Sequence, residues 1–242
     1  MRWINKRRVG FYMDIKKTGF LITIEGIDGS GKSSAALALA DALDVHYPVV
    51  LTKEPGGTEL GKHLRELLQK RAYGVCPQAE FLLFAADRAQ HMTELVLPAL
   101  NEGKIVISDR MADSSRAYQG FGRGLDDNWI TRINQWAMAD RTPDLTVYLK
   151  IDYKTAASRL KKRNEDATVF EQEKEAFFGR VIDGFEHIFK ERSAVLVIDA
   201  LDREEIVHAR MIEAVKEYIA IRFDQNLACM QEPFDASTPW LP

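Results

Sequence analysis

Cysteine is scarce: the 242-residue chain has two. Cys76 and Cys229 stand far apart in dissimilar surroundings, which does not suggest a disulfide framework and fits a reducing compartment, with the cytoplasm as the expectation. No apolar run approaches the ~20 residues a bilayer-crossing helix needs, so a soluble protein without a membrane partner is expected. The opening stretch, MRWINKRRVGFYMDIKK, is basic but lacks the apolar segment of a secretory signal. Excess charge of either sign is also missing: 33 Lys and Arg against 36 Asp and Glu give a net charge of -3. No overall field draws nucleic acid and no arginine-rich track invites it, so nucleic acid is not an expected partner. Any phosphate ligand has to be held by local groups.

What is present is alternation. Hydrophobic residues make up 46% of the chain, enough to fill a substantial core. FLITIEG, PVVLTKE, GKIVISDR, DLTVYLKID and AVLVIDA are short, rich in β-branched residues and nearly continuously apolar, as strands buried on both faces of a parallel sheet must be. Helical patterns fall between and after them, at 32–43, 60–69, 77–100, 127–139, 153–163, 173–191 and 203–223. In the last, Ile212, Val215 and Ile219 recur at the spacing of one buried face. The expected fold is α/β: an open five-stranded parallel sheet with helices on both faces and right-handed crossovers. In such sheets ligands gather outside the carboxyl ends of the strands. One domain, 19–223, is expected between a basic extension, 1–18, with Met13 as a second plausible start, and a tail, 224–242, whose prolines and scattered apolar residues show no helical period.

Between the first strand and the first helix lies EGIDGSGKSS. From Gly26 to Ser33 the spacing is G-x-x-x-x-G-K-S, in the strand, loop, helix order that a phosphate-binding P-loop requires. Gly26, Gly29 and Gly31 allow close backbone approach, so that main-chain N–H groups from Gly26, Ile27, Asp28, Gly29, Ser30, Gly31, Lys32, Ser33 and Ser34 cradle a nucleoside triphosphate such as ATP. Lys32 is expected to reach the β- and γ-phosphates and Ser33 to place its hydroxyl on Mg²⁺. In IVISDR, Asp109 closes a buried strand, where it serves either as a second metal group or as a loop cap. Arg110 beside it has the planar, permanently charged fork suited to bridging phosphates. A GTP-regulated switch would carry a guanine-reading T-K-x-D segment, whereas the closest stretch here is TKEP, with Pro55 in the aspartate position.

TKEPGGTELGKHLRELL, AEFLLFAADRAQH, SDRMADSSRAYQGFGRGLD and PDLTVYLKID together resemble the thymidylate kinase family of P-loop kinases, over about 19–219 of the chain. The resemblance implies phosphorylation of dTMP to dTDP by ATP with Mg²⁺, and a homodimer built from helices on one side of the sheet. Phe84 and Arg88 share one helix face; periodicity alone makes Phe84 a core residue, and the resemblance makes it a stacking partner of thymine with Arg88 on the base edge. It likewise sets Ser115 and Gln119 around the base, Tyr118 near the sugar, Asp28 on the 3′-hydroxyl, and Lys53 and Arg110 on the acceptor phosphate. Many relatives carry arginine where Lys53 stands; a lysine keeps the charge without the bidentate fork.

The stretch RLKKRNEDATVFEQEKEAFF, with a lid at about 159–173, resembles the family's mobile cover. The P-loop interior, Asp28, Gly29 and Ser30, has no arginine, so the chain resembles the members whose catalytic arginine sits in the lid. Thr168 and Val169 stand where a second lid arginine often lies, which leaves Arg163 as the candidate and Lys162 or Arg159 as alternatives. Two other functions stay open at this point: a kinase for another pyrimidine monophosphate, and a non-catalytic nucleotide-binding module.

Overall fold

The computed structural model describes residues 19–70, 74–162, 168, 170–171, 173–190 and 192–230. The basic extension 1–18, Arg163 and the segment 231–242 lie outside the described residues. Five parallel strands, β1 (Phe20–Glu25), β2 (Val49–Lys53), β3 (Ile105–Asp109), β4 (Leu145–Lys150) and β5 (Val195–Asp199), form one sheet in the order β2-β3-β1-β4-β5. β1 is central and buried at every residue, which is why FLITIE is so nearly apolar. Its one hydroxyl, Thr23, meets Thr146 of β4 at 3.0 Å between the two Oγ1 atoms.

Strand register aligns three of these ends. Ile24 of β1 lies beside Asp109, and Lys53 of β2 lies beside the same Asp109. The carboxyl ends of β1, β2 and β3 therefore finish level with one another. Because the chain leaves β1 for strands on one side and later returns to β4 on the other, those ends border the crevice where open α/β sheets bind ligands.

Helices cover both faces. α1 (Lys32–Asp44) packs Ala35, Ala36, Leu39 and Leu43 against the sheet, together with α8 (Glu175–Phe189) and α9 (Glu204–Met230). Phe178, Phe185, Met211, Val215 and Ile219 join Ile22 and Ile24 in that core. The opposite face carries a second cluster, in which Leu21 and Val106 meet Met92, Val96, Met111 and Met138. Burying each such side chain contributes about 1.5–3 kcal/mol.

The pattern at 77–100 suggests one helix, but the structure has three pieces: α3 (Pro77–His91), a π-helical turn (Met92–Val96) and α4 (Leu97–Asn101). Pro98, in the first turn of α4, has no N–H and its ring presses on the carbonyl four residues back, so the preceding turn widens. A second irregular helix lies outside the expected set. α5 (Ala112–Ser115) runs into a π-helical stretch (Arg116–Gly122) that holds the AYQGFG motif. α8 lies flat upon it: a Cβ on Gly122 would sit 2.7 Å from the Phe177 ring, and one on Gly184 would sit 2.8 Å from Phe121. The remaining helices are α2 (Glu59–Lys70), α6 (Asp127–Ala137) and α7 (Tyr153–Lys162). α9 continues to Met230, beyond the end at 223 that its apolar period marked. No helix among the described residues is long and apolar enough to cross a membrane.

Candidate active site

The donor side is built mostly from backbone. Gly26, Gly29 and Gly31 take φ values of 147°, 85° and 89°, a region open to glycine at little cost. At Gly29 space is also short, since a Cβ would fall 2.5 Å from the carbonyl oxygen of Ala156 in α7. No side chain caps the first turn of α1, so its N–H groups remain available to an anion. Lys32 folds back across the loop and donates from Nζ to the Ile27 carbonyl at 2.8 Å. Burial, and then the nearby Arg110, push its ammonium down to about 8, against the opposing pull of Asp28, Asp109 and Glu25. It stays mostly protonated at neutral pH, and an incoming polyphosphate would hold the proton more firmly.

Beside the lysine, Ser33 donates from Oγ to Asp109 Oδ2 at 2.5 Å. The other carboxylate oxygen, Oδ1, is buried and has no hydrogen-bond partner among the described residues. A hydroxyl and a carboxylate with an unsatisfied oxygen form a hard, oxygen-only donor pair. Among the described residues no three His, Cys, Asp or Glu side chains cluster as a metal cage.

The side facing the P-loop, where the resemblance expects the acceptor nucleotide, is built from side chains. Arg110 donates from Nη1 to the Gly26 carbonyl and to Ser114 Oγ, both at 3.0 Å, and from Nη2 to Asp28 Oδ1 at 2.5 Å, while its guanidinium lies 5.1 Å from the Tyr118 ring centroid. Tyr118 donates its hydroxyl proton to Asp28 Oδ2 at 3.0 Å and accepts from the Asp28 N–H at 3.1 Å. Burial alone would raise Asp28; Arg110 and Lys32 outweigh it and hold the carboxyl below its usual value. Burial, with Asp28 next, pushes the Tyr118 hydroxyl far above neutrality, so it stays a donor.

Deeper in, Arg88 is only 2% exposed. Its Nε lies 2.9 Å from Glu54 Oε2, Nη1 donates to Asn134 Oδ1 at 2.6 Å, and Nη2 reaches Ser115 Oγ and the Met111 carbonyl, each at 3.2 Å. Phe84, one turn earlier on α3, is partly buried and faces Phe170 at 5.8 Å between ring centroids. Gln119 donates to Glu80 Oε1 at 2.9 Å, and Arg123 approaches the same oxygen at 3.2 Å.

One cavity of about 1510 Å³ joins these two sides. Asp28 through Ser34, Lys53, Phe84, Arg88, Asp109, Arg110, Ser115, Tyr118 and Gln119 all line it, so the structure brings together nearly every residue singled out in the sequence. Gly26 and Ile27 stand behind the wall, with Ile27 in the core. Of the lid cations, Arg159 and Lys162 line the far end, and Arg159 is engaged with the carbonyls of Leu201 and Asp202 at 3.3 and 2.9 Å.

Sequence reasoning missed several supports. Glu54 Oε1 meets His91 Nδ1 at 2.9 Å, and the ring's other nitrogen lies 2.7 Å from Thr52 Oγ1, a fully buried relay behind Arg88. Arg65 of α2 lines the cavity and donates to the Pro55 carbonyl at 2.9 Å. Glu25 supports Arg110 from beneath, through Ser114. The available signal was charge inside apolar stretches: Glu25 ends a wholly buried strand, and buried charges are rarely idle.

A P-loop that shares one cavity with a buried aromatic, guanidinium and amide wall, and with an arginine between them, defines the class: a P-loop nucleoside monophosphate kinase. Comparison with known proteins narrows it. Residues 24–211 match the family model for thymidylate kinase. The chain is 41% identical to the thymidylate kinase of Pelotomaculum thermopropionicum over 204 residues, covering 83% of this chain and 94% of that protein. It is 44% identical to that of Clavibacter michiganensis over 195 residues, covering 79% and 92%. The crystal structure of thymidylate kinase from Ehrlichia chaffeensis superposes with a TM-score of 0.68 at 36% identity, covering 82% of this chain and 99% of that one. The chain belongs to the thymidylate kinase family.

Proposed function

We infer that this chain transfers the γ-phosphoryl group of ATP to the phosphate of dTMP, giving ADP and dTDP. The observation that carries this reading is the single cavity in which Lys32 and the Phe84–Arg88–Tyr118 wall face each other across Arg110. A phosphate monoester is already mostly dianionic at neutral pH, so the acceptor needs no general base. Phosphoryl transfer of this kind asks for alignment and for charges set where negative charge shifts.

Phe84 stacks on the base, Arg88 and Ser115 meet its polar edge, and Gln119 closes that edge with its amide nitrogen anchored on Glu80. Asp28 and Tyr118 hold the sugar. Arg110, with Lys53 at the level end of β2, binds the acceptor phosphate, and Lys32 offsets charge on the donor phosphates. Because Asp28 lies in the donor loop while bonding Arg110, the same contact fixes the spacing of the two nucleotides. Arg163 is the lid cation this reading selects, with Lys162 or Arg159, both on α7, as the alternatives.

Mg²⁺ suits the Ser33–Asp109 pair, which offers two hard oxygens and leaves other positions for phosphate oxygens and water. Held by those two side chains, it would supply positive charge that neutralises part of the charge on the donor phosphates. The reading includes a homodimer: Trp129 and Trp136, two turns apart on α6, are 63% and 80% exposed, and Leu82 on the adjoining α3 is 52% exposed. A second copy covering that face would bury aromatic surface that monomers seldom display. The exposed, unpaired Cys76 fits the reducing cytoplasm.

The test is ADP release by purified protein with ATP and each of dTMP, dUMP, dCMP and UMP. ADP should form fastest with dTMP and be matched by dTDP. Equal ADP with or without an acceptor, or preference for another monophosphate, would overturn the assignment.

A further inference from the structure

Arg110 has a left-handed backbone, with φ 72°. Among the described residues, the other non-glycine positions with positive φ, Ala139 and Asp140, lie just after α6. A bulky residue keeps such a conformation only when its surroundings over-determine it, and these conformations gather at functional sites. The segment is held from every side. The Arg110 N–H donates to the Ile24 carbonyl at 3.0 Å, and its carbonyl accepts from Ser108 Oγ at 2.7 Å. The next N–H, on Met111, donates to Glu25 Oε1 at 2.8 Å. Ser114, whose Oγ accepts a hydrogen bond from the Arg110 guanidinium, itself donates to Glu25 Oε2 at 2.5 Å.

Glu25 thus spends both carboxyl oxygens on the two places that fix Arg110: the backbone just after it and the hydroxyl that steers its side chain. Glu25 is fully buried and does not line the cavity, so it reaches no substrate. It is also the residue directly before Gly26, whose carbonyl accepts from Arg110. One side chain therefore ties the entry of the donor loop to the aim of the acceptor cation. The charged groups that act on it are Asp113, Arg110 and Lys32, and Asp113 is paired with Arg192 at 2.6 Å. Burial, and then Asp113, push the Glu25 carboxyl well above the usual carboxylate range. In the neutral form the bond to Ser114 reverses, with Glu25 donating, and a glutamine amide can copy that pattern.

We propose that Glu25 is a positioning residue: it locks the left-handed turn at Arg110 and so aims the guanidinium at the acceptor phosphate. The proposal rests on Arg110 binding that phosphate. Its test is calorimetric binding of dTMP, thymidine and ATP to the full chain carrying Glu25→Ala, Glu25→Gln or Ser114→Ala. Glu25→Ala should weaken dTMP binding about tenfold or more while thymidine and ATP change less than about twofold, Glu25→Gln should recover most of that loss, and Ser114→Ala should show a smaller loss of the same kind. A parallel loss of all three ligands, or no change in any, would overturn it. Should Glu25→Ala fail to fold, the same ratio of dTMP to thymidine affinity in Glu25→Gln and Ser114→Ala decides. If the unaltered chain binds thymidine as tightly as dTMP, it is the reading of the phosphate subsite that fails.

Discussion

On the function proposed above, the two halves of the cavity solve the same problem, holding a nucleotide, by opposite means. The donor half is a short run of consecutive residues whose glycines shape main-chain N–H groups into a cradle, with one lysine and one serine added. The acceptor half draws single side chains from β2, α3, the turn after β3, α5 and the π-helical stretch, and several are held by partners distant in sequence: Arg88 by Glu54 and Asn134, Gln119 by Glu80, Arg110 by Asp28. A main-chain cradle recognises any polyphosphate; dispersed, individually anchored side chains can tell one base from another. Generic binding and selective binding therefore differ here in how far along the chain their parts are spread.

Removing a donor-half charge should damage chemistry and spare acceptor binding. Lys32→Ala is expected to lower kcat by about 10³-fold, since such a charge acts where negative charge develops, while the dissociation constant for dTMP changes by no more than about threefold. Steady-state rates and calorimetry on one preparation check both. Comparable loss of dTMP affinity would mean that the halves are less separate than the cavity suggests.

The converse change strikes recognition and stability together. Arg88→Met strips the charge partner from the buried Glu54, and an uncompensated buried charge costs about 3–5 kcal/mol. Urea unfolding should register that loss, and KM for dTMP should rise about 100-fold with KM for ATP nearly constant. An unchanged unfolding midpoint would show that His91 alone satisfies Glu54.

The buried carboxyls that support the acceptor half should respond to pH in opposite senses. Glu25 has its folded value raised to about 8 from an ordinary 4.5, by burial and then Asp113. Between those values the folded protein holds a proton that the unfolded chain has released, so this group's contribution to stability falls as pH rises through that window. Asp28 and Glu54 are lowered, as their cationic partners outweigh burial; their contributions are present at neutral pH and are lost as acid protonates them. Glu25→Gln should therefore flatten the decline on the alkaline side, by on the order of 1–3 kcal/mol between pH 5 and 9, and leave the acid side alone. Unfolding curves at several pH values are the check, and an unchanged alkaline slope would contradict it.

The smallest expected effect is at the sugar contact. Tyr118→Phe deletes one hydroxyl bonded to Asp28, a loss of about 1 kcal/mol, and KM for dTMP should rise about fivefold. A kcat effect larger than the KM effect would place Tyr118 nearer the chemistry than the sugar.

Legibility followed the same division. The strands and the P-loop could be read because their signals are local: continuous apolar runs, glycine spacing, and the strand, loop, helix order. Asp109 and Arg110 could be read because strand-end position has a meaning in this fold. The acceptor wall was legible only through its family resemblance, since nothing in periodicity separates Phe84 from an ordinary core aromatic. Glu25, Glu54 and His91 escaped because their partners are set by tertiary packing, far away in sequence. The break at Pro98 and the helical AYQGFG stretch escaped because π-helical turns answer to one proline and to the close approach of α8, not to a repeating pattern.

The central claim is that the two nucleotides lie head to head in one cavity and exchange a phosphoryl group without an intermediate on the protein. It is tested most directly by single-turnover reaction of dTMP with ATP made chiral at the γ-phosphorus by sulfur and oxygen isotopes. The account predicts inverted configuration in the dTDP formed; retention, or no transfer to dTMP at all, would contradict it.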